Sequence, residues 1–149
     1  MNDIIGVVSK NRFPVILTER MEHLEILKNL LKDKIEHLVV MKGGMGKKQR
    51  AATKNALEEI SVNATKAILA TGRYLGEGFD NNRLDTLFLT LPISWRGTLA
   101  QYAGRLHRIH DTKNEVQIYD YVDLEVPMLA KMYKRRLTGY RAIGYEIEE

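Results

Sequence analysis

Residues 14–41, PVILTERMEHLEILKNLLKDKIEHLVVM, decide the fold. Pro14 to Leu17 is a short apolar run of strand type, and Thr18 after it carries a hydroxyl suited to capping a helix. Leu24, Leu27, Leu30 and Leu31 then recur at helical spacing among Glu and Lys, so one face of that helix packs on a sheet. His37 to Met41 is a second β-branched apolar strand. Strand, helix and strand in succession make a βαβ unit, whose two strands run parallel.

The rest of the chain repeats the alternation. Residues 3 to 11 carry a weak pattern for a leading helix, and a helix is expected from about Lys47 to Ile60. Ala67 to Ala70, Leu84 to Leu91 and Val116 to Tyr121 read as the third, fourth and fifth strands. Pro127 suits the first residue of a last helix, with Leu129, Met132, Leu137 and Tyr140 toward the core. The expected class is α/β, a mainly parallel sheet with helices on both faces.

The 149 residues correspond to one ordinary domain, expected to span 1–149, and 44% hydrophobic residues with 28% charged is a globular composition. No apolar run approaches the roughly 18 residues of a membrane span. No charged start followed by an apolar block marks a secretory signal. The expectation is an intracellular, cytoplasmic protein with no membrane partner. The absence of cysteine excludes disulfides and thiolate metal sites. Net charge is +4, unevenly placed: Lys42, Lys47, Lys48, Arg50 and Lys54 crowd one stretch, and Lys131, Lys134, Arg135, Arg136 and Arg141 another. Such clusters fit a polyanion such as nucleic acid, and equally fit solvated helix faces.

In parallel sheets ligands sit beyond the carboxyl ends of the strands. Three loops fall there, at 18–20, 42–50 and 71–80. The second, with Gly43 and Gly44 beside Lys47, Lys48 and Arg50, lets backbone amides approach phosphate. It is not a Walker A loop, because Met41 stands five positions before Gly46 and Lys48 occupies the Ser/Thr place. In the third, Thr71 and Gly72 precede Gly76, Glu77, Gly78 and Asp80, a pattern suited to sugar hydroxyls or a water network.

Residues 95–108, WRGTLAQYAGRLHR, form the most informative helix. At about 100° per residue, Gln101, Gly104, Arg105 and Arg108 share an arc of roughly 100°, opposite Leu99, Tyr102, Ala103 and Leu106. The two arginines lie about 4.5 Å apart along the axis, so both guanidiniums can meet one polyphosphate. Gly104 inside this polar face costs about 1 kcal/mol of helix propensity, which suggests a close approach to the backbone. His107 and His110 lack a neighbouring carboxylate or cysteine set and are read as ordinary helix histidines; no metal ligands are expected.

ILATGRYLGEGFD followed by QYAGRLHR resembles the fifth and sixth motifs of superfamily 2 helicases and translocases, and PVILTER looks like the fourth. ERMEHLEILKNLL and DTLFLTLPISWRGTLAQYAGRLHR look closest to the XPB-like and restriction-enzyme-like branch. The resemblance implies a RecA-like fold, of P-loop NTPase type but without its own Walker A motif, and the second of two motor lobes. It implies that Arg105 and Arg108 reach the γ-phosphate, Arg108 foremost, with Gln101 coupling that contact to the nucleotide site. It also implies that Gly78, Asp80 and Gly104 border the nucleotide and that Thr18, Gly43, Gly44, Arg50, Thr71 and Gly72 touch the DNA or RNA backbone, contacts that position a strand without reading it. The implied cofactors are ATP and Mg2+ in the intact two-lobe protein, with none held by this lobe alone. The phosphate cradle and the acidic metal motif are absent from the sequence, so ATP hydrolysis requires a first RecA-like lobe in the same or another chain. The alternative is a binding module for nucleic acid or protein with no ATPase role. A dinucleotide enzyme is disfavoured because TERMEH, not G-x-G-x-x-G, follows the first strand.

Overall fold

The computed structural model describes residues 2–18, 20–41, 47–61, 63–71, 84–90 and 116–148. In chain order the elements are α1 (Asn2–Ser9), β1 (Pro14–Thr18), α2 (Met21–Leu31), β2 (His37–Met41), α3 (Lys47–Glu59), β3 (Lys66–Thr71), β4 (Thr86–Leu89), β5 (Gln117–Asp120) and α4 (Pro127–Ala142). The five strands form one sheet in the order β2-β3-β1-β4-β5. Every pairing is parallel. The α/β architecture is the one the sequence predicts, with the fourth and fifth strands shorter at their ends.

Period-two alternation divides the apolar residues between the two faces. Val15, Leu17, Ile68, Ala70, Leu87 and Leu89 join Leu57 of α3 and Ile60 in one core cluster. Ile16, Ala67, Leu69 and Phe88 join Ile4, Val7 and Val8 of α1 and Leu24 and Leu31 of α2 in the other. Helices thus cover both faces, and β1, β3 and β4 are buried along their length. The edge strand β5 is half-buried, and so is β2 up to its buried last residue, Met41. Leu30, expected among the packed leucines of α2, is 46% exposed.

At the carboxyl end of α4 the amide of Tyr145 donates to Tyr140 O at 3.0 Å and that of Gly144 to Arg141 O at 3.1 Å. Gly144 has φ +99°. This pair of bonds is a Schellman cap, and the Tyr140 and Tyr145 rings supply its apolar contact, edge to face at 6.1 Å. Among the described residues no helix is long and apolar enough to cross a membrane.

Candidate functional site

The two innermost strands end in threonine, and Thr18 and Thr71 are register partners. Alternation from Ile16 and Leu69 puts both side chains on the face that carries α1 and α2. Thr18 is 1% exposed and Thr71 7%. Thr90, just beyond β4, completes the row: its amide and its hydroxyl both donate to Leu17 O. Three hydroxyls therefore stand side by side at the carboxyl ends of β3, β1 and β4.

Their partners differ. The expectation that Thr18 caps the following helix is corrected: the N-cap is Arg20, with no side-chain cap bond, and α2 begins at Met21. The Thr18 hydroxyl instead meets His23 Nδ1 at 2.7 Å. The helix starts three residues after Thr18, with Arg20 extended before it, and the Thr18 hydroxyl meets the side chain of the helix's third residue. The Thr71 hydroxyl is buried and finds no hydrogen-bond partner among the described residues. An unsatisfied buried hydroxyl costs on the order of 1–3 kcal/mol, so it marks a place where structure and solvation disagree.

Of the residues predicted to touch a nucleic-acid backbone, the structure brings Thr18 and Thr71 together. Arg50 lies on α3, with its side chain outside the description. Gly43, Gly44 and Gly72 lie outside the described residues, as do Gly78, Asp80, Gln101, Gly104, Arg105, Arg108 and the His107–His110 pair. Among the described residues no group of three or more His, Asp or Glu is arranged to hold a metal ion.

Arg136 departs from its sequence reading. Its neighbours Lys131, Lys134, Arg135 and Arg141 are exposed, but Arg136 is 1% exposed. Its Nε donates to Asp120 Oδ2 at 2.8 Å and one terminal nitrogen to Asp120 Oδ1 at 2.9 Å. The Tyr140 hydroxyl donates to Asp120 Oδ2 at 2.9 Å. Burial, then the adjacent Asp120 carboxylate, push the Tyr140 phenol upward, against a smaller opposing effect of Arg136. The Tyr133 ring lies 5.6 Å from the guanidinium carbon. A basic residue in a basic run gave no sign of this; only the period that places 129, 132, 136 and 140 on one helix face pointed inward.

Beside β5, Tyr119, Asp120, Tyr145, Glu146 and Glu148 help line a cleft of about 500 Å³. Its carboxylates make it unsuited to a phosphate chain. At the opposite, amino end of the sheet Arg12 Nε donates to Thr86 Oγ1 at 2.9 Å and the Phe13 amide to Asp85 Oδ1 at 2.9 Å. That network ties β1 to β4.

This parallel five-stranded sheet with flanking helices matches helicase C-terminal RecA-like domains in fold. Among solved structures, the C-terminal part of the Fun30 ATPase domain is similar at TM-score 0.67 and 20% identity, over 86% of this chain and 40% of that one. T4 UvsW is similar at 0.69 and 17% identity, over 95% and 31%. The C-terminal domain of the DEAD-box protein Dbp5 is similar at 0.63 and 14% identity, over 99% and 82%. The S. cerevisiae Dbp5 C-terminal domain bound to Gle1 and IP6 is similar at 0.64 and 14% identity, over 98% and 79%. These are likenesses at the level of fold. The present chain spans less than half of the Fun30 and UvsW chains. No protein-family model and no curated protein matches the sequence.

Proposed function

We propose that this chain is the second RecA-like lobe of a superfamily 2 helicase or translocase, of the XPB-like and restriction-enzyme-like branch. The observation that supports the reading is the likeness of the parallel five-stranded sheet to helicase C-terminal domains, at TM-scores of 0.63 and 0.64 to that of Dbp5, in a chain that also holds Q-x-x-G-R-x-x-R at residues 101–108. In this reading Arg105 and Arg108, aided by Gln101, stabilise the γ-phosphate of ATP held by a first lobe, with Gly78, Asp80 and Gly104 along the nucleotide. The first lobe supplies the phosphate loop and the Mg2+ ligands, since this chain carries neither G-K-[ST] nor D-E-x-H. Thr18, Gly43, Gly44, Arg50, Thr71 and Gly72 form the track for a DNA or RNA backbone at the carboxyl end of the sheet. ATP closes the lobes, hydrolysis releases them, and the backbone contacts step.

The test is ATPase activity of the longest natural polypeptide containing this chain, against this chain alone, with single- and double-stranded DNA and RNA. Activity confined to the longer polypeptide and stimulated by one nucleic acid is expected. Silence from both overturns the motor reading. It would favour the binding-module reading, for which the Dbp5 C-terminal domain bound to Gle1 is the relevant precedent.

A further inference from the structure

We infer that the outer edge of β5 takes up an extended, basic peptide segment of a partner protein as an added strand of the sheet. The inference goes beyond the second-lobe reading and does not depend on it.

Among the described residues β5 ends the sheet, with β4 on one side and no strand on the other. Its pairing with β4 fixes which main-chain groups face outward. The Gln117 amide donates to Asp85 O at 2.9 Å and the Tyr121 amide to Leu89 O at 3.2 Å. A strand residue turns its N–H and C=O to the same side, and the side alternates along the chain. Residues 117, 119 and 121 therefore turn toward β4, and Ile118 and Asp120 turn their amides and carbonyls outward. Among the described residues nothing hydrogen-bonds to these outward groups. Edges are commonly guarded by proline, lysine or a bulge. β5 reads QIYD and keeps an unbroken register, so it carries none of the three.

The space beside that edge has the size and the chemistry for a peptide. The cleft of about 500 Å³ is lined by residues 116–121 and, after the turn at Gly144, by residues 145–148. Tyr145 and Ile147 are half-buried, while Glu146 and Glu148 alternate with them and are exposed. No lysine or arginine lines the cleft, and the Asp120 carboxylate is already matched by Arg136. Side chains of a strand repeat on one face at every second residue, so lysine or arginine at alternate positions of the added strand meets both free carboxylates, with tyrosine rings to receive the stems and charges. The whole chain is net +4, which makes attraction of a basic segment a property of this rim and not of the surface at large. A second copy pairing β5 to β5 would set two acidic rims against each other, so charge complementarity selects the basic partner.

The test uses the 15N-labelled 149-residue chain and a blocked, fluorescein-labelled heptapeptide of alternating lysine and threonine. Saturable binding is expected by anisotropy, with the Ile118 and Asp120 amide signals shifted and their hydrogen exchange slowed about tenfold or more. The same peptide with glutamate for lysine is expected not to bind. N-methylation at alternate peptide residues, which removes the donors along one edge, is expected to weaken binding about tenfold in one of its two phasings. The pair Glu146→Gln and Glu148→Gln is expected to weaken it about tenfold while leaving the urea transition in place. Absence of binding, equal binding of both N-methylated phasings, or Ile118 and Asp120 amides unmoved while the peptide binds overturns the inference. A dimer by sedimentation, with those two amides protected in the absence of peptide, puts a second copy on the edge and overturns it as well. None of these outcomes bears on the second-lobe reading, whose test is ATPase activity.

Discussion

Arg136 and Asp120 are joined by two parallel hydrogen bonds of 2.8 and 2.9 Å between α4 and the end of β5. Both side chains are nearly sealed from solvent, at 2% and 8% exposed. A buried pair of this kind adds little over an apolar one, but removing one partner leaves an unpaired charge inside, at a cost of about 3–5 kcal/mol. Arg136→Ala and Asp120→Ala should each lower the unfolding free energy, measured by urea titration, by that much. The double variant should lose less than the sum of the two. Additive losses would mean that the pair is not coupled.

Tyr140 shares that carboxylate, and its phenol is pushed upward by burial first and Asp120 second. The unfolded chain ionises this tyrosine near pH 10, while the native state still holds the proton. Above about pH 10 the unfolded state therefore binds fewer protons, and stability falls as pH rises; below pH 10 the contribution is fully present. Urea titrations between pH 8 and 11.5 should show this decline. Tyr140→Phe should flatten part of it while costing about 1 kcal/mol at neutral pH for the lost bond to Asp120. Burial pushes Tyr145 upward as well, so some slope should persist.

Thr71 offers a trade between stability and binding. Its hydroxyl is buried without a partner among the described residues. Valine has the same branched shape and suits a strand equally well. Thr71→Val should raise stability by about 1 kcal/mol or more, because the unsatisfied group is removed and nothing else changes. On the proposed reading the same change should weaken oligonucleotide binding, measured by fluorescence anisotropy. Stability gained with affinity unchanged would remove Thr71 from the track.

The strands were legible because β1, β3 and β4 are buried on both faces and appear as unbroken apolar runs. The boundaries of the last two strands were less so, since Leu84, Thr90 and Val116 are strand-like residues that lie just outside the ladder. The sequence places Thr18 at the strand end but suggests the wrong partner for it. A hydroxyl before a helix looks like a cap, and only the position of Arg20 reveals that the helix starts too late. The Arg136–Asp120 pair was illegible for a different reason. Its members lie sixteen residues apart on different elements, and a charge is recognised as buried only once its counter-charge is known to face it.

Arg108 carries the functional stake. On the proposed reading, which rests on the resemblance of residues 101–108 to a sixth helicase motif, Arg108 meets the γ-phosphate of ATP bound by a first lobe. An arginine finger is worth about 10³ to 10⁵ in rate, roughly 4 to 7 kcal/mol of transition-state stabilisation. In the two-lobe polypeptide Arg108→Ala should nearly abolish nucleic-acid-stimulated ATPase. Oligonucleotide affinity without nucleotide should stay within a few-fold, since phosphate contacts to the track are made by other residues. Arg108→Lys should rescue little, because a point charge cannot replace the two-point fork. ATPase surviving within a few-fold in the alanine variant would take Arg108 out of the hydrolytic site and leave Arg105 as the residue to test.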